Sequence, residues 1–516
     1  VSRAEWSWLA GAIVLGLVLR LGFPSRMAIE HFDEGVYASN FWFDDGAYPA
    51  RHLYAPPLLP MAIEWTMIAA SLCGIRPTGF IPIIPSLVAG LATIPSIWWI
   101  GRRWFGSTAG IAAAWLVAGS DFHASYSRAA LTDIPLCLFL LWAVYFIWRG
   151  LQTGARRDLL LAGLFTGLAW WTKYNGWLPL AIGLTGGTAW QLFSLRTVRQ
   201  MATTWKRWGL ISVAAFLVWS PVLIGLQTHG GYRSVAANHA QYITGFRGWG
   251  DAALRQMEHV GIYDDWCGLT YEVLLEVVAR KTRIDADDNV FIQTPTRAVD
   301  LLDNVKQRQL RINGLLLGKL HRHEDMLLNM PALPFVLVLA SPVILAIVSI
   351  IALPRWILTL RPNSNSLSGW LLAAWFGGLT VATPFYHPYP RLILPWLIAA
   401  WLAVGVSIQL LVDSGRFGTM PPGASQKWRP SWCDMVVPGW LILFTVVRCW
   451  IGNEHCWQDR SSLARAAANL AIEIRKQTDS AGHPGDEAIV YVAGNPALVY
   501  ALKANGLPLV TPARPT

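Results

Sequence analysis

A chain of 516 residues that is 54% hydrophobic and only 14% charged lies well below the roughly 25% charged residues of soluble domains, which excludes an ordinary soluble enzyme. Its net charge of +10 does not indicate nucleic acid, because the basic residues stand in short loops rather than in one patch interleaved with exposed aromatics. Apolar runs near the roughly 20 residues that cross a bilayer recur from end to end, and the 29 Trp suit the aromatic enrichment of membrane interfaces.

In chain order, the first apolar run, 6–23, follows Arg3 and reads as an uncleaved first helix, since no small-x-small cleavage site comes after it. Further spans are predicted over 79–101, 107–120, 132–148, 158–172, 175–194, 209–226, 331–353, 367–384, 391–411 and 435–452, giving about eleven transmembrane helices. The third is short, and the fifth and sixth read as a hairpin broken between Lys173 and Gly176. The fold class is therefore an all-α polytopic membrane protein. Between the first two spans, residues 24–78 carry Asp33 and Glu34, an aromatic-rich stretch from Tyr37 to Tyr48, the pair Pro56 and Pro57, and an apolar stretch to Leu72. That mixture suits amphipathic helices lying along the membrane surface. Residues 227–330 form a large polar segment with helical stretches from Tyr271 to Arg283 and Thr296 to Leu317. The transmembrane domain so defined covers 1–452. The tail, 453–516, reads as helix (461–477), strand (487–493) and helix (496–504), the start of a small α/β module that stops abruptly at Thr516, as a truncated chain would.

With the N-terminus in the cytoplasm, alternate loops hold Arg102 and Arg103; Arg149, Arg156 and Arg157; Arg196, Arg199, Lys206 and Arg207; Arg355 and Arg361; then Arg416, Lys427 and Arg429. Every short loop on that side is basic, which is the expected bias of cytoplasmic connections. Residues 24–78, 227–330 and the tail then face the opposite compartment. The six Cys form no CxxC pair; Cys449 and Cys456 have nothing but proximity to recommend a disulfide. His321, Arg322, His323, Glu324 and Asp325 tempt a metal reading, but no further ligand spacing accompanies them and a solvated loop suits them better.

Ionisable groups at the membrane boundary are costly and point to function. In this orientation they gather on the non-cytoplasmic side: Asp33 and Glu34 after the first helix, Arg128 and Asp133 before the fourth, Lys173 between the fifth and sixth, His387 and Arg391 before the tenth. Each has a plainer reading. An Asp ahead of an aromatic helix is commonly its cap, Arg128 and Asp133 could be a structural ion pair, Lys173 and Arg20 could snorkel, and His387 and Arg391 could touch lipid headgroups. Together, carboxylates and cations at headgroup depth suit a sugar carried on a polyprenyl phosphate. A base takes the acceptor's proton, and cations, not an acid, receive the departing phosphate. Adjacent Asp33 and Glu34 diverge on a helix, so Asp33 is assigned as base and Glu34 as an acceptor or sugar contact.

At HFDEGVYASN (31–40), YAPPLLP (54–60), SRAALTDIPLCLFLLWAVYF (127–146), GLAWWTKYNGWLPL (167–180) and YPRLILPWLIAAW (389–401), the chain resembles the GT-C superfamily of membrane glycosyltransferases. The likeness is to the dolichyl-phosphate-mannose protein mannosyltransferase type, and within it to aminoarabinose transferases and lipopolysaccharide-core galacturonosyltransferases. The resemblance implies an inverting hexosyl or pentosyl transfer on the outer face of a bacterial cytoplasmic membrane, with Asp33 as base and Glu34 near the acceptor. Arg128 and Asp133 would then contact the donor phosphate and sugar, and Lys173 and Arg391 would lie near the lipid phosphate. Relatives often carry Lys or His before the Pro pair, where this chain has Ala55, so either another cation, such as Arg51 or His52, substitutes or the donor differs. The implied partners are the polyprenyl-phosphate sugar, a lipid, glycan or protein acceptor, and membrane lipids. No cofactor is required, and a divalent cation near Glu34 remains open. The competing classes are a secondary transporter, whose charges should sit at the midplane on repeated broken helices, and a scaffold in which the acids are merely caps.

Overall fold

The computed structural model describes residues 1–43, 53–194, 197–228, 231, 367–382, 390–417, 456–480 and 489–512. Apart from a two-stranded sheet in the tail, the described chain is all-helical and largely membrane-embedded. Its helices are α1 (Arg3–Leu21), α2 (Phe32–Ser39), α3 (Leu58–Leu72), α4 (Ile84–Phe105), α5 (Ser107–Ala118), α6 (Asp121–Ser127), α7 (Asp133–Thr153), α8 (Arg156–Thr172), α9 (Leu178–Phe193), α10 (Val198–Gln227), α11 (Leu367–Ala382) and α12 (Leu394–Phe417). The tail adds α13 (Ser462–Ser480), β1 (Val490–Val492), α14 (Pro496–Ala504) and β2 (Val510–Pro512). The predicted spans 331–353 and 435–452, nearly all of the segment 227–330, the histidine cluster at 321–325 and Cys449 lie outside the described residues.

Among the described helices, four are long and apolar enough to cross a membrane: α1, α4 with the turn before it (Ile81–Phe105), α7 and α10. The core runs through α4, α5, α7 and α12. Only 28% of the apolar window of α1 and of α10 is buried, against 61% for α4 and 67% for α7, which puts α1 and α10 at the rim of the described helices. Helix α5, 12 residues long, is rich in Ala, Gly, Ser and Thr and lies inside the core. A Cβ on Gly110 would sit 2.5 Å from the Trp98 carbonyl oxygen, so the backbones of α4 and α5 meet without side chains between them.

Sequence signals explain most helix ends. Gly154, at φ 68°, closes α7 five residues beyond the expected 148. Helix α10 starts at Val198 rather than 209, because Thr197 and Gln200 form a reciprocal capping box. As a result Arg199, Lys206 and Arg207 belong to the helix, not to a loop, and Arg207 Nη1 donates to the carbonyls of Leu151 and Gln152 at the end of α7. Arg20 does not snorkel, contrary to expectation. It is fully buried and donates to the carbonyls of Val117 and Ala118 at 3.0–3.1 Å, and pairs with His123 Nδ1 at 2.9 Å. The open C-terminus of α5 supplies acceptors inside the protein, and a buried guanidinium satisfies them.

The alternation of helices sorts the charged positions to two ends. Arg102 lies 3.4 Å from Glu5 at the start of α1, while the start of α7 and the ends of α1 and α8 face the other way, toward the tail. There β1 and β2 pair in parallel across α14, a βαβ unit. Helix α2 was expected to lie on a surface, yet Asp33 through Ser39 are all buried, because α14 packs on it. A Cβ at Gly35 would meet the Ala497 backbone nitrogen at 2.2 Å. Gly35→Val is therefore expected to cost about 1–3 kcal/mol through overpacking and to release the tail, read as faster proteolysis of residues after 456 with the bundle intact.

Candidate active site

The first turn of α2 presents two carboxylates in opposite directions. His31 is the N-cap: its Nδ1 accepts from the Asp33 backbone N–H at 3.2 Å. Glu34 completes a capping box by accepting from the His31 N–H at 2.8 Å. The capping role thus falls to His31 and Glu34, and the Asp33 carboxylate is turned elsewhere.

Asp33 Oδ1 accepts from the Tyr54 hydroxyl at 2.7 Å, and Oδ2 accepts from Arg391 Nη2 at 2.5 Å. Arg391, in the turn Pro390–Ile393 that opens α12, also brings Nε to 3.9 Å from Asp133 Oδ2. Asp133 heads α7, and its other oxygen is 2.5 Å from Lys173 Nζ, where the chain straightens between α8 and α9. Four charges from four separate elements therefore alternate in one row: Asp33, Arg391, Asp133, Lys173. Asp133 is 1% exposed, and its Oδ2 has no hydrogen-bond partner among the described residues. Burial pushes Asp33 up, but the Arg391 guanidinium, the Tyr54 hydroxyl and His31 outweigh it and hold the carboxyl below its usual range. Arg391 is thus flanked by two buried carboxylates, Asp33 and Asp133.

This shift has a definite sign. A carboxyl depressed in the folded state contributes stability that is complete above its unfolded value, about 3.9, and is lost as pH falls through the folded value. The melting temperature in detergent should therefore drop on acidification below pH about 4, and Asp33→Asn should flatten that drop.

Glu34 and Arg128 are placed differently. Glu34 is completely buried: Oε1 accepts from the Ala130 N–H at 2.7 Å, while Oε2 accepts from the N–H groups of His31 and Glu30 and from Arg460 Nη2 at 2.6 Å. Arg128 turns away from Asp133 and donates to the carbonyls of Arg20, in the last turn of α1, and of Gly22 and Phe23 just beyond it. The structure thus brings Asp33, Asp133, Lys173 and Arg391 together and sets Glu34 and Arg128 into the supporting framework. His387, Arg51 and His52 lie outside the described residues.

Sequence reasoning missed two side chains. Tyr54 had a signal, since it opens the YAPPLLP segment, but an apolar-looking motif drew attention to its prolines. Arg460 had none. It joins Glu34 across 426 residues and also donates to the Arg128 carbonyl at 2.8 Å.

Residues 57–224, about a third of the chain, match the family model described as dolichyl-phosphate-mannose-protein mannosyltransferase. That stretch includes Arg128, Asp133 and Lys173 and begins just after Tyr54. ArnT from Cupriavidus metallidurans, solved with undecaprenyl phosphate bound, superposes with a TM-score of 0.54 at 14% identity, over 97% of this chain and 85% of that one. The archaeal oligosaccharyltransferase AglB from Archaeoglobus fulgidus, in complex with an inhibitory peptide and a dolichol-phosphate, gives 0.54 at 13% identity. The match covers 98% of this chain but only 64% of AglB. The likeness is one of fold. Among curated proteins, none matches the sequence.

Proposed function

We propose that this protein is an inverting glycosyltransferase of the GT-C type, moving a hexose or pentose from a polyprenyl-phosphate carrier to a lipid, glycan or protein acceptor at the extracytoplasmic face of a bacterial cytoplasmic membrane. The observation that carries this reading is the row Tyr54, Asp33, Arg391, Asp133 and Lys173 at one end of an apolar helical bundle. It combines a base with two cations at the depth where a carrier lipid would hold its phosphate. The fold shared with proteins crystallised on undecaprenyl phosphate and dolichol-phosphate supports the donor class, and the basic ends of the helices support the orientation.

In this mechanism Asp33 accepts the proton of the acceptor hydroxyl or amine as that oxygen or nitrogen attacks the anomeric carbon. The bond from that carbon to the phosphate oxygen breaks on the opposite face, and its electron pair leaves with the polyprenyl phosphate. Arg391 offers a planar fork to two phosphate oxygens, and Lys173 adds a compact charge beside it. Asp133 holds both cations in register, while Tyr54 fixes the base. Glu34 and Arg128 set the positions of α2 and of the turn before α7.

The direct test incubates the purified protein with a panel of polyprenyl-phosphate sugars and follows release of free lipid phosphate. Release with at least one donor is expected, and silence across hexose and pentose donors would overturn the assignment. Because the positive charge comes from side chains, we expect release to persist in a chelator. Loss restored by added divalent metal would show instead that a cation takes part.

A further inference from the structure

We infer that Arg391 keeps Asp33 out of service until the donor's phosphate arrives, and that the phosphate frees the base by taking Asp33's place on the guanidinium. This inference rests on the reading of Asp33 as base in a polyprenyl-phosphate site.

Among the described residues the row contains two carboxylates and two cations, so it is balanced before any donor binds. An incoming phosphate that draws a cation from this row makes one of its pairs give way. The pairs are unequal. Asp133 lies between Lys173 and Arg391, is almost wholly enclosed, and among the described residues keeps Oδ2 without a hydrogen bond, 3.9 Å from Arg391 Nε. A small turn of the guanidinium toward that oxygen gains an acceptor there. Asp33 sits at the other end of the row and already has a second donor in Tyr54, so losing Arg391 does not strand it. The exchange therefore releases Asp33, not Asp133. No covalent bond changes; an ion pair between side chains becomes one between Arg391 and phosphate.

The consequence for the base follows from its surroundings. The groups facing Asp33 are His31 and Tyr37 from α2, Tyr54 from the segment before α3, Arg391 from the turn before α12, and Asp133 at α7 with Lys173 behind it. Once Arg391 is engaged by phosphate, burial and the nearby anionic charge act on Asp33 with Tyr54 and His31, among the described residues, opposing them. Its proton affinity rises toward the working pH, where a general base is most effective. Departure of the polyprenyl phosphate returns Arg391 to Asp33. The donor must then bind before the acceptor can be deprotonated, and the donor-free enzyme does not hold an active base open to water.

The test follows the protonated-carboxyl stretch of Asp33 by infrared difference spectroscopy, identified as the band that Asp33→Asn removes, across a pH titration in detergent. Undecaprenyl phosphate is the probe and tryptophan fluorescence reports its binding independently. The expected result is a titration midpoint that moves up by about one to three pH units when the lipid binds. Arg391→Gln should show the raised midpoint with no lipid present, and Arg391→Lys should keep it low. Inorganic phosphate producing the same rise supports the exchange and shows that the headgroup suffices. Lipid that binds without moving the midpoint, or a low midpoint in Arg391→Gln, overturns the inference and leaves the transferase reading standing. Failure of the lipid to bind at all overturns both.

Discussion

Asp33→Asn is expected to lower transfer by about 10²–10⁴-fold, the range lost when a positioned general base is removed, while the protein still inserts and folds. The amide keeps the shape of the carboxylate and an oxygen for Arg391 or Tyr54, but it cannot take a proton. Arg391 retains Asp133 as a partner, so no buried charge is left alone and the thermal unfolding temperature at neutral pH should fall only by the modest contribution that the native protein itself loses on acidification. Binding of undecaprenyl phosphate should persist as well, because the cations remain. Release of lipid phosphate from a productive donor is the measurement. A variant with near-native release would return Asp33 to a structural role and favour the scaffold reading.

Glu34→Ala should do the reverse damage. The native carboxylate takes three backbone N–H groups and the Arg460 guanidinium in a fully buried position. Truncation strips the acceptor from three buried backbone N–H groups and leaves the Arg460 charge with the Arg128 carbonyl alone, and removing one partner of a buried pair typically costs about 3–5 kcal/mol. Thermal unfolding in detergent should show a large loss of stability, and Glu34→Gln, which keeps an acceptor oxygen, a smaller one. If Glu34→Ala instead melted like the native protein but lost transfer, Glu34 would be the acceptor contact that its adjacency to Asp33 first suggested. The two neighbouring acids thus separate cleanly, one through rate and the other through stability.

What could be read ahead of the structure divides along the same physical line. The apolar periodicity and basic loops located α1, α4, α5, α7, α8, α9, α11 and α12, because a bilayer imposes length and charge rules on each segment by itself. The tail's helices and first strand were also legible from local pattern. Helix α10 was read short because its first turns are polar, and only its cap signalled the true start. Sequence singled out the charges near the membrane, but could not say which would pair with one another and which would turn to carbonyls. Arg128 and Lys173 look alike on paper, yet one is held by three backbone oxygens and the other by Asp133. Arg20 looked like a rim residue because the carbonyls that receive it belong to α5, about a hundred positions later. Contacts set by tertiary meeting of distant segments leave no local trace.

The Arg460 bridge to Glu34 also bears on biosynthesis. A ribosome must add some four hundred residues after the acidic turn before the guanidinium that secures it exists. During that interval α2 has neither this ion pair nor the packing of α14 over Gly35. Helix α2 therefore reaches its buried setting only after the residues beyond 456 have been synthesised and have docked against it.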